Sequence, residues 1–258
     1  GVDGALIVQP ITHKFDHSYV LAALKSHPSK FKGMLLFNPT QPESDAINNL
    51  NDFMSKGFVG VRFNPYLWPE GQTMSESSSG MAVYRQCGEL GVPVGIMCFK
   101  GLHLHYNDIL NLIHDSPKTT LILDHFGFTR LEAEDQQDFE KLLNLSQYPN
   151  VVVKIAALFR IGSTDPYPYE KLRSDRFAPL VKAFGSDRLM FGTDFPYVME
   201  QKGEYHGAVE VVQSWAAEYG EEAERNIMSG TAERLFGAWG TNPVEEVGFV
   251  EEKQELRK

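Results

Sequence analysis

The sequence predicts an α/β protein, a (β/α)8 TIM barrel lacking its first strand, and three observations carry that expectation. Short apolar runs recur seven times at spacings of about 25 to 40 residues, with amphipathic stretches between them, as successive βα units of a parallel sheet require. Several runs end in a Gln-Pro or Asn-Pro pair, which halts a strand and turns the chain over a rim. The 258 residues suit a single barrel of roughly 250. An open doubly wound sheet is the runner-up. Against it, no glycine-rich phosphate loop follows any strand.

The strands fall at residues 4–9, 33–37, 58–63, 92–98, 119–124, 150–155 and 188–193. Between them Ser44 is expected to cap a helix whose buried face is Ile47, Leu50 and Met54, closed by Gly57. Ile109, Leu112 and Ile113 mark a second helix, and Phe139, Leu142 and Leu143 a third. Phe177, Leu180, Val181 and Phe184 mark a fourth, closed by Gly185. Residues 1–240 form the barrel domain, and 241–258 read as a charged tail without periodicity, mobile or loosely packed.

Composition excludes several classes. With 34 acidic against 24 basic residues, the formal charge of −10 is the wrong sign for a polyanion binder, so no nucleic acid is expected as partner. No apolar stretch reaches the roughly 18 residues of a bilayer span, so no membrane partner is expected either. Cys87 and Cys98 are the only cysteines, too few for a disulfide framework. They suit reduced thiols in an intracellular compartment, cytoplasmic or organellar. The opening, Gly1-Val2-Asp3-Gly4, runs straight into a strand and suggests a fragment or a processed form.

In a barrel the carboxyl ends of all strands meet at one mouth, where such folds keep their chemistry. Asp194, held between Gly192 and Pro196, is placed to take a proton from water, or else caps the following turn. His125 can ligate a metal or polarise a carbonyl, and its alternative is a purely structural hydrogen bond. Arg62 offers a planar fork for a substrate carboxylate, or a salt bridge inside the rim. Lys154, inside a buried strand, is a Schiff-base or carbamylated lysine or, the preferred reading, pairs with an acid. Cys98 reads as a packed strand residue. The loop carrying Tyr167 and Tyr169 between prolines reads as a lid or as plain surface, and Arg160 and Arg173 beside it would add positive charge. His103-Leu104-His105 invites a metal reading, but residues two apart on a helix diverge by roughly 200°, so it is set aside.

These residues also carry a family likeness. Val8-Gln9-Pro10, Gly60-Val61-Arg62-Phe63-Asn64-Pro65, Leu123-Asp124-His125-Phe126-Gly127, Val153-Lys154-Ile155, Gly192-Thr193-Asp194-Phe195-Pro196 and the closing segment from Ile227 to Gly237 together resemble the amidohydrolase-related family, part of the metal-dependent hydrolase superfamily. The nearest resemblance is to the branch holding 2-pyrone-4,6-dicarboxylate lactonase and sugar lactonases. The likeness implies a barrel hydrolase with His125 on strand six and Asp194 on strand eight. The family's first strand bears a His-x-His motif, and this chain begins after it. That implies an omitted upstream segment or a form inactive as it stands. Metal-dependent members place a histidine at the end of strand five, where this chain has Cys98, which resembles the lactonase branch, whose type member works without a bound metal.

The expectation is therefore a hydrolase of a small, carboxylate-bearing lactone or cyclic ester, with Asp194 and His125 catalytic and Arg62, Tyr66 and Tyr167 binding substrate. No cofactor is favoured. A single zinc-like divalent ion on His125 and Asp194 is the alternative, as a metal-dependent decarboxylase or a catalytically inactive ligand-binding barrel is for function. The partner is a small-molecule substrate.

Overall fold

The computed structural model describes residues 2–240. All seven expected strands form: β1 (Ala5–Val8), β2 (Phe31–Leu36), β3 (Phe58–Phe63), β4 (Val94–Ile96), β5 (Leu121–Leu123), β6 (Val151–Ile155) and β7 (Leu189–Phe191). Each pairs in parallel with the next in sequence, giving one sheet in the order β1 to β7. Among the described residues β7 does not pair with β1. The sheet thus curls into a TIM-barrel-like wall that stays open on one flank. Exposure follows: β5 and β6 are buried throughout, whereas every residue of β1 is only half-buried.

Helices cover the outside of the wall: α1 (Ser18–Ser26), α2 (Glu43–Ser55), α3 (Ser78–Leu90), α4 (Tyr106–Asp115), α5 (Gln136–Asn144), α6 (Leu158–Ile161), α7 (Glu170–Leu172), α8 (Ala178–Phe184), α9 (Glu204–Ala217), α10 (Glu221–Arg225) and α11 (Thr231–Phe236). The four helices read from periodicity form with the expected residues inward. One start needs correction. Helix α2 begins at Glu43 with Pro42 as the cap, and Ser44 lies in its first turn. Proline fixes φ ahead of the helix, and Glu43 and Asp45 in the first turn complement the positive end of the helix dipole. The tail at 241–258 lies outside the described residues.

Alternation along the strands divides the apolar residues. Leu121, Leu123, Val151, Val153 and Leu189 face the helices, while Ile122, Val152 and Met190 face inward with Met34 and Phe236. Phe236, with Leu235 and Ala232 of α11, closes the barrel floor from below. Gly60 makes room for this layer, since a Cβ there would lie 2.8 Å from Met34 Cε. Two residues further along β3 and β6, and just past β5, the inward positions become Arg62, Lys154 and Asp124. Above an apolar floor the barrel therefore carries a charged layer, directly under the mouth.

Candidate active site

The mouth is built by backbone that L-residues adopt reluctantly. His125, Phe126, Gly127 and Phe128 all have positive φ, at 50°, 54°, 61° and 57°. A left-handed residue other than glycine costs roughly 1–2 kcal/mol, and three of these four carry side chains. Packing holds the turn in place. Phe126 and Phe128 are buried in the core, and Thr129 Oγ1 donates to the Phe126 carbonyl at 2.8 Å. Ala157, just past β6, and Asp194, past β7, have φ of 55° and 62°. Three neighbouring strands thus leave the barrel through left-handed residues, which swing their side chains back over the opening.

Asp124 anchors the charged layer and is buried completely. One of its oxygens meets Arg62 Nη2, and Lys154 Nζ lies 2.7 Å from the other. Burial works to raise its pKa, but Arg62 and Lys154 outweigh it and hold the carboxyl well below the usual range. Two cations on one anion leave a net charge of about +1 by simple count. Arg62 also keeps unused donors: Nε is buried without a hydrogen-bond partner, and Nη1 has only Met97 Sδ at 3.5 Å. The expected acid partner of Lys154 is Asp124. Arg62 makes the rim ion pair and retains donors as well.

His125 Nε2 lies 3.8 Å from Asp194 Oδ1, beyond hydrogen-bond range. Its Nδ1 is buried without a partner, and its ring meets Phe128 edge-on at 5.2 Å. Burial pushes its pKa down to about 4, against the opposing pull of Asp124 and Asp194. The imidazole is therefore neutral near pH 7. The Asp194 carboxylate faces it and does not cap the following turn, which is closed by the backbone bond from Tyr197 N to Asp194 O. The other carboxylate oxygen, Oδ2, accepts from Arg160 Nε at 2.8 Å.

The remaining candidates divide. The Tyr66 ring packs at a tilt against Phe99, with centroids 4.3 Å apart beside β4, and its hydroxyl accepts from Lys100 N at 2.9 Å. The Tyr167 ring lies against Gly203 and Gly207 at the start of α9, and no hydrogen bond joins it to His125 or Asp194 among the described residues. Arg173 adds nothing to the mouth, because Glu170 and Glu218 neutralise it. His103 pairs with Asp138 of α5 at 2.7 Å, while the His105 ring packs against Tyr66 at 5.1 Å, so the two imidazoles do not converge on one ion. Burial pushes the Cys98 thiol far up, and it packs as a hydrophobe.

For a divalent ion the donor set is short. His125 and Asp194 converge, but no third His, Cys, Asp or Glu joins them among the described residues. Oδ2 of Asp194 is already engaged by a cation, and the His125 Nδ1 lacks the outer hydrogen bond that usually orients a ligating imidazole. The described residues do not, by themselves, fit a metal. Sequence reading missed Asp124 as the hub and treated Arg160 only as diffuse charge. The available signal was Lys154 itself, since a lysine inside a buried strand requires an acid on a neighbouring one.

A sequence model of the amidohydrolase family matches residues 1–238. Among solved structures, a candidate 2-pyrone-4,6-dicarboxylic acid hydrolase from Pseudomonas putida superposes with a TM-score of 0.73 at 23% identity, covering 92% of this chain and 83% of that one. A second such candidate, from Acinetobacter baumannii with citric acid bound, gives 0.74 at 18%, covering 91% and 84%. A 5-carboxyvanillate decarboxylase from Sphingomonas paucimobilis gives 0.66 at 14%, covering 92% and 79%. No curated protein matches the chain. No helix among the described residues is long and apolar enough to cross a membrane.

Proposed function

The chain belongs to the amidohydrolase family, and from that premise we propose that it hydrolyses a small lactone or cyclic ester bearing a carboxylate, without a metal. The observation that carries the reading is the approach of Asp194 to a neutral His125 above a net positive, buried layer. Asp194 takes a proton from water as the water oxygen bonds to the lactone carbonyl carbon. His125, with its proton on Nε2, donates a hydrogen bond to the carbonyl oxygen and stabilises the oxyanion. The tetrahedral adduct then collapses, the ring C–O bond breaks, and the leaving oxygen receives the proton from Asp194. One water is consumed, and a hydroxy acid or its tautomer is released.

Arg62 holds the substrate carboxylate with its unused donors, which an anion would satisfy. Tyr66 lines the neighbouring wall and Tyr167 the outer loop. The test is a panel of carboxylated lactones, 2-pyrone-4,6-dicarboxylate among them, assayed with the purified protein and with Asp194→Asn. Wild type should open the ring, and the variant should stay folded while losing about 10²–10⁴ in rate. Wild-type turnover in the variant would remove Asp194 from the chemistry. Release of carbon dioxide in place of ring opening would mark a decarboxylase, and binding without turnover a ligand-binding barrel.

A further inference from the structure

We infer that Arg160 is a positioning and specificity residue: its guanidinium caps the base Asp194, and an anionic substrate draws it away and so frees the base. The inference rests on Asp194 as the base, and it adds what decides when that base is available. Arg160 lies in α6, directly after the left-handed exit of β6, and its Nε donates to Asp194 Oδ2 at 2.8 Å. With that bond in place, one carboxylate oxygen is occupied and its charge is offset. The remaining oxygen faces His125 at 3.8 Å.

Two features make this contact releasable. The Arg160 and Asp194 side chains are 40% and 18% exposed, and an ion pair so open to water is weak. The guanidinium also lies 5.0 Å from the Phe159 ring and 4.8 Å from the Tyr197 ring, aromatic faces that can support it as it moves. The cations below are different. Arg62 and Lys154 are held by fully buried Asp124 and cannot leave without stranding its charge. A substrate carboxylate thus meets two fixed cations and one that swings. Neutral lactones offer Arg160 no alternative partner and leave the base capped.

Arg160→Met keeps most of the stem and removes the charge. Its kcat/KM should rise severalfold on a neutral lactone and fall by about tenfold on a carboxylated one, with Arg160→Lys restoring part of the second because lysine lacks the bidentate fork. Changes of the same sign on both substrates overturn the inference. A binding cycle decides it without turnover, using isophthalate as a non-hydrolysable dicarboxylate followed by calorimetry. Arg160→Met should weaken binding and Asp194→Asn should tighten it, each by about tenfold, and the gain from Asp194→Asn should vanish in the double variant. A gain that persists in the double variant, or no binding to wild type, overturns it. If Asp194→Asn turns over normally, the hydrolytic reading fails while the cycle still settles what Arg160 does.

Discussion

Ile122 and Asp124 lie two residues apart, one in β5 and one just beyond it, and both side chains point into the barrel, yet they belong to opposite environments. Ile122 packs with Met34, Val152, Met190 and Phe236 in a floor without charge. Asp124 is bound by Arg62 and Lys154 in a layer that is also buried but wholly ionic. The floor gains free energy simply by leaving water. The charged layer gains little that way, because desolvating three ions offsets most of their attraction. What it supplies is a fixed net charge beneath the mouth. In this barrel an apolar and an ionic layer are thus stacked as adjacent storeys of the same strands.

The sharpest way to break the comparison is Asp124→Ala. Two buried cations would lose their partner, at a cost of about 3–5 kcal/mol, read as a shift in the urea midpoint with unchanged slope. Replacing the whole layer, with Arg62→Met, Asp124→Leu and Lys154→Met together, should instead leave stability unchanged or raise it by about 1–4 kcal/mol, while abolishing anion binding. A triple variant as unstable as Asp124→Ala would mean that the ions stabilise the fold as much as the floor does.

Acid comes next in size. Burial depresses the pKa of His125 to about 4 and lowers that of His17, whose Nε2 accepts from Leu36 N at 3.0 Å. Because the folded values lie below the unfolded one near 6.5, the unfolded chain binds more protons. This contribution is therefore complete above pH 6.5 and is lost as pH falls toward 4. From pH 7.5 to 4.5, His125 alone should remove roughly 2–3 kcal/mol, measurable by thermal denaturation. Flat stability across that window would mean that the imidazole is not buried in neutral form. The smallest effect belongs to the floor: Ile122→Val should cost about 0.5–1.5 kcal/mol by denaturant titration and leave turnover untouched.

The two storeys were not equally legible in the sequence. Apolar runs disclosed every strand because buried parallel strands are continuously apolar, and Gly57 and Gly185 marked helix ends because only left-handed or extended turns follow there. Helices α1, α3 and α9 went unread, as did the shorter α6, α7, α10 and α11. Glycines interrupt the pattern of the two longer ones, Gly80 and Gly88 in α3 and Gly207 in α9. In the mouth, Asp194 and His125 stood out as polar groups at strand ends. The hub at Asp124 did not, because its partners come from β3 and β6, and spacing along one strand says nothing about which residues face each other across the barrel. The run of left-handed residues was equally silent, with Gly127 its only compositional trace. Tyr167 suited a lid by its prolines, but the open surface of Gly203 and Gly207 gives its ring another place to rest.

Those left-handed exits also bear on how fast the site can work. They aim His125 and Asp194 before any ligand arrives, so the conformational work of alignment is done when the chain folds and not at each encounter. On the proposed reading, what remains for an arriving anion to rearrange is one exposed arginine side chain. Rotamer changes of that kind take picoseconds to nanoseconds, whereas closing a loop takes microseconds or longer. If Arg160 guards Asp194 as proposed, commitment of the substrate is set by a single side-chain rotation and the bond-making that follows.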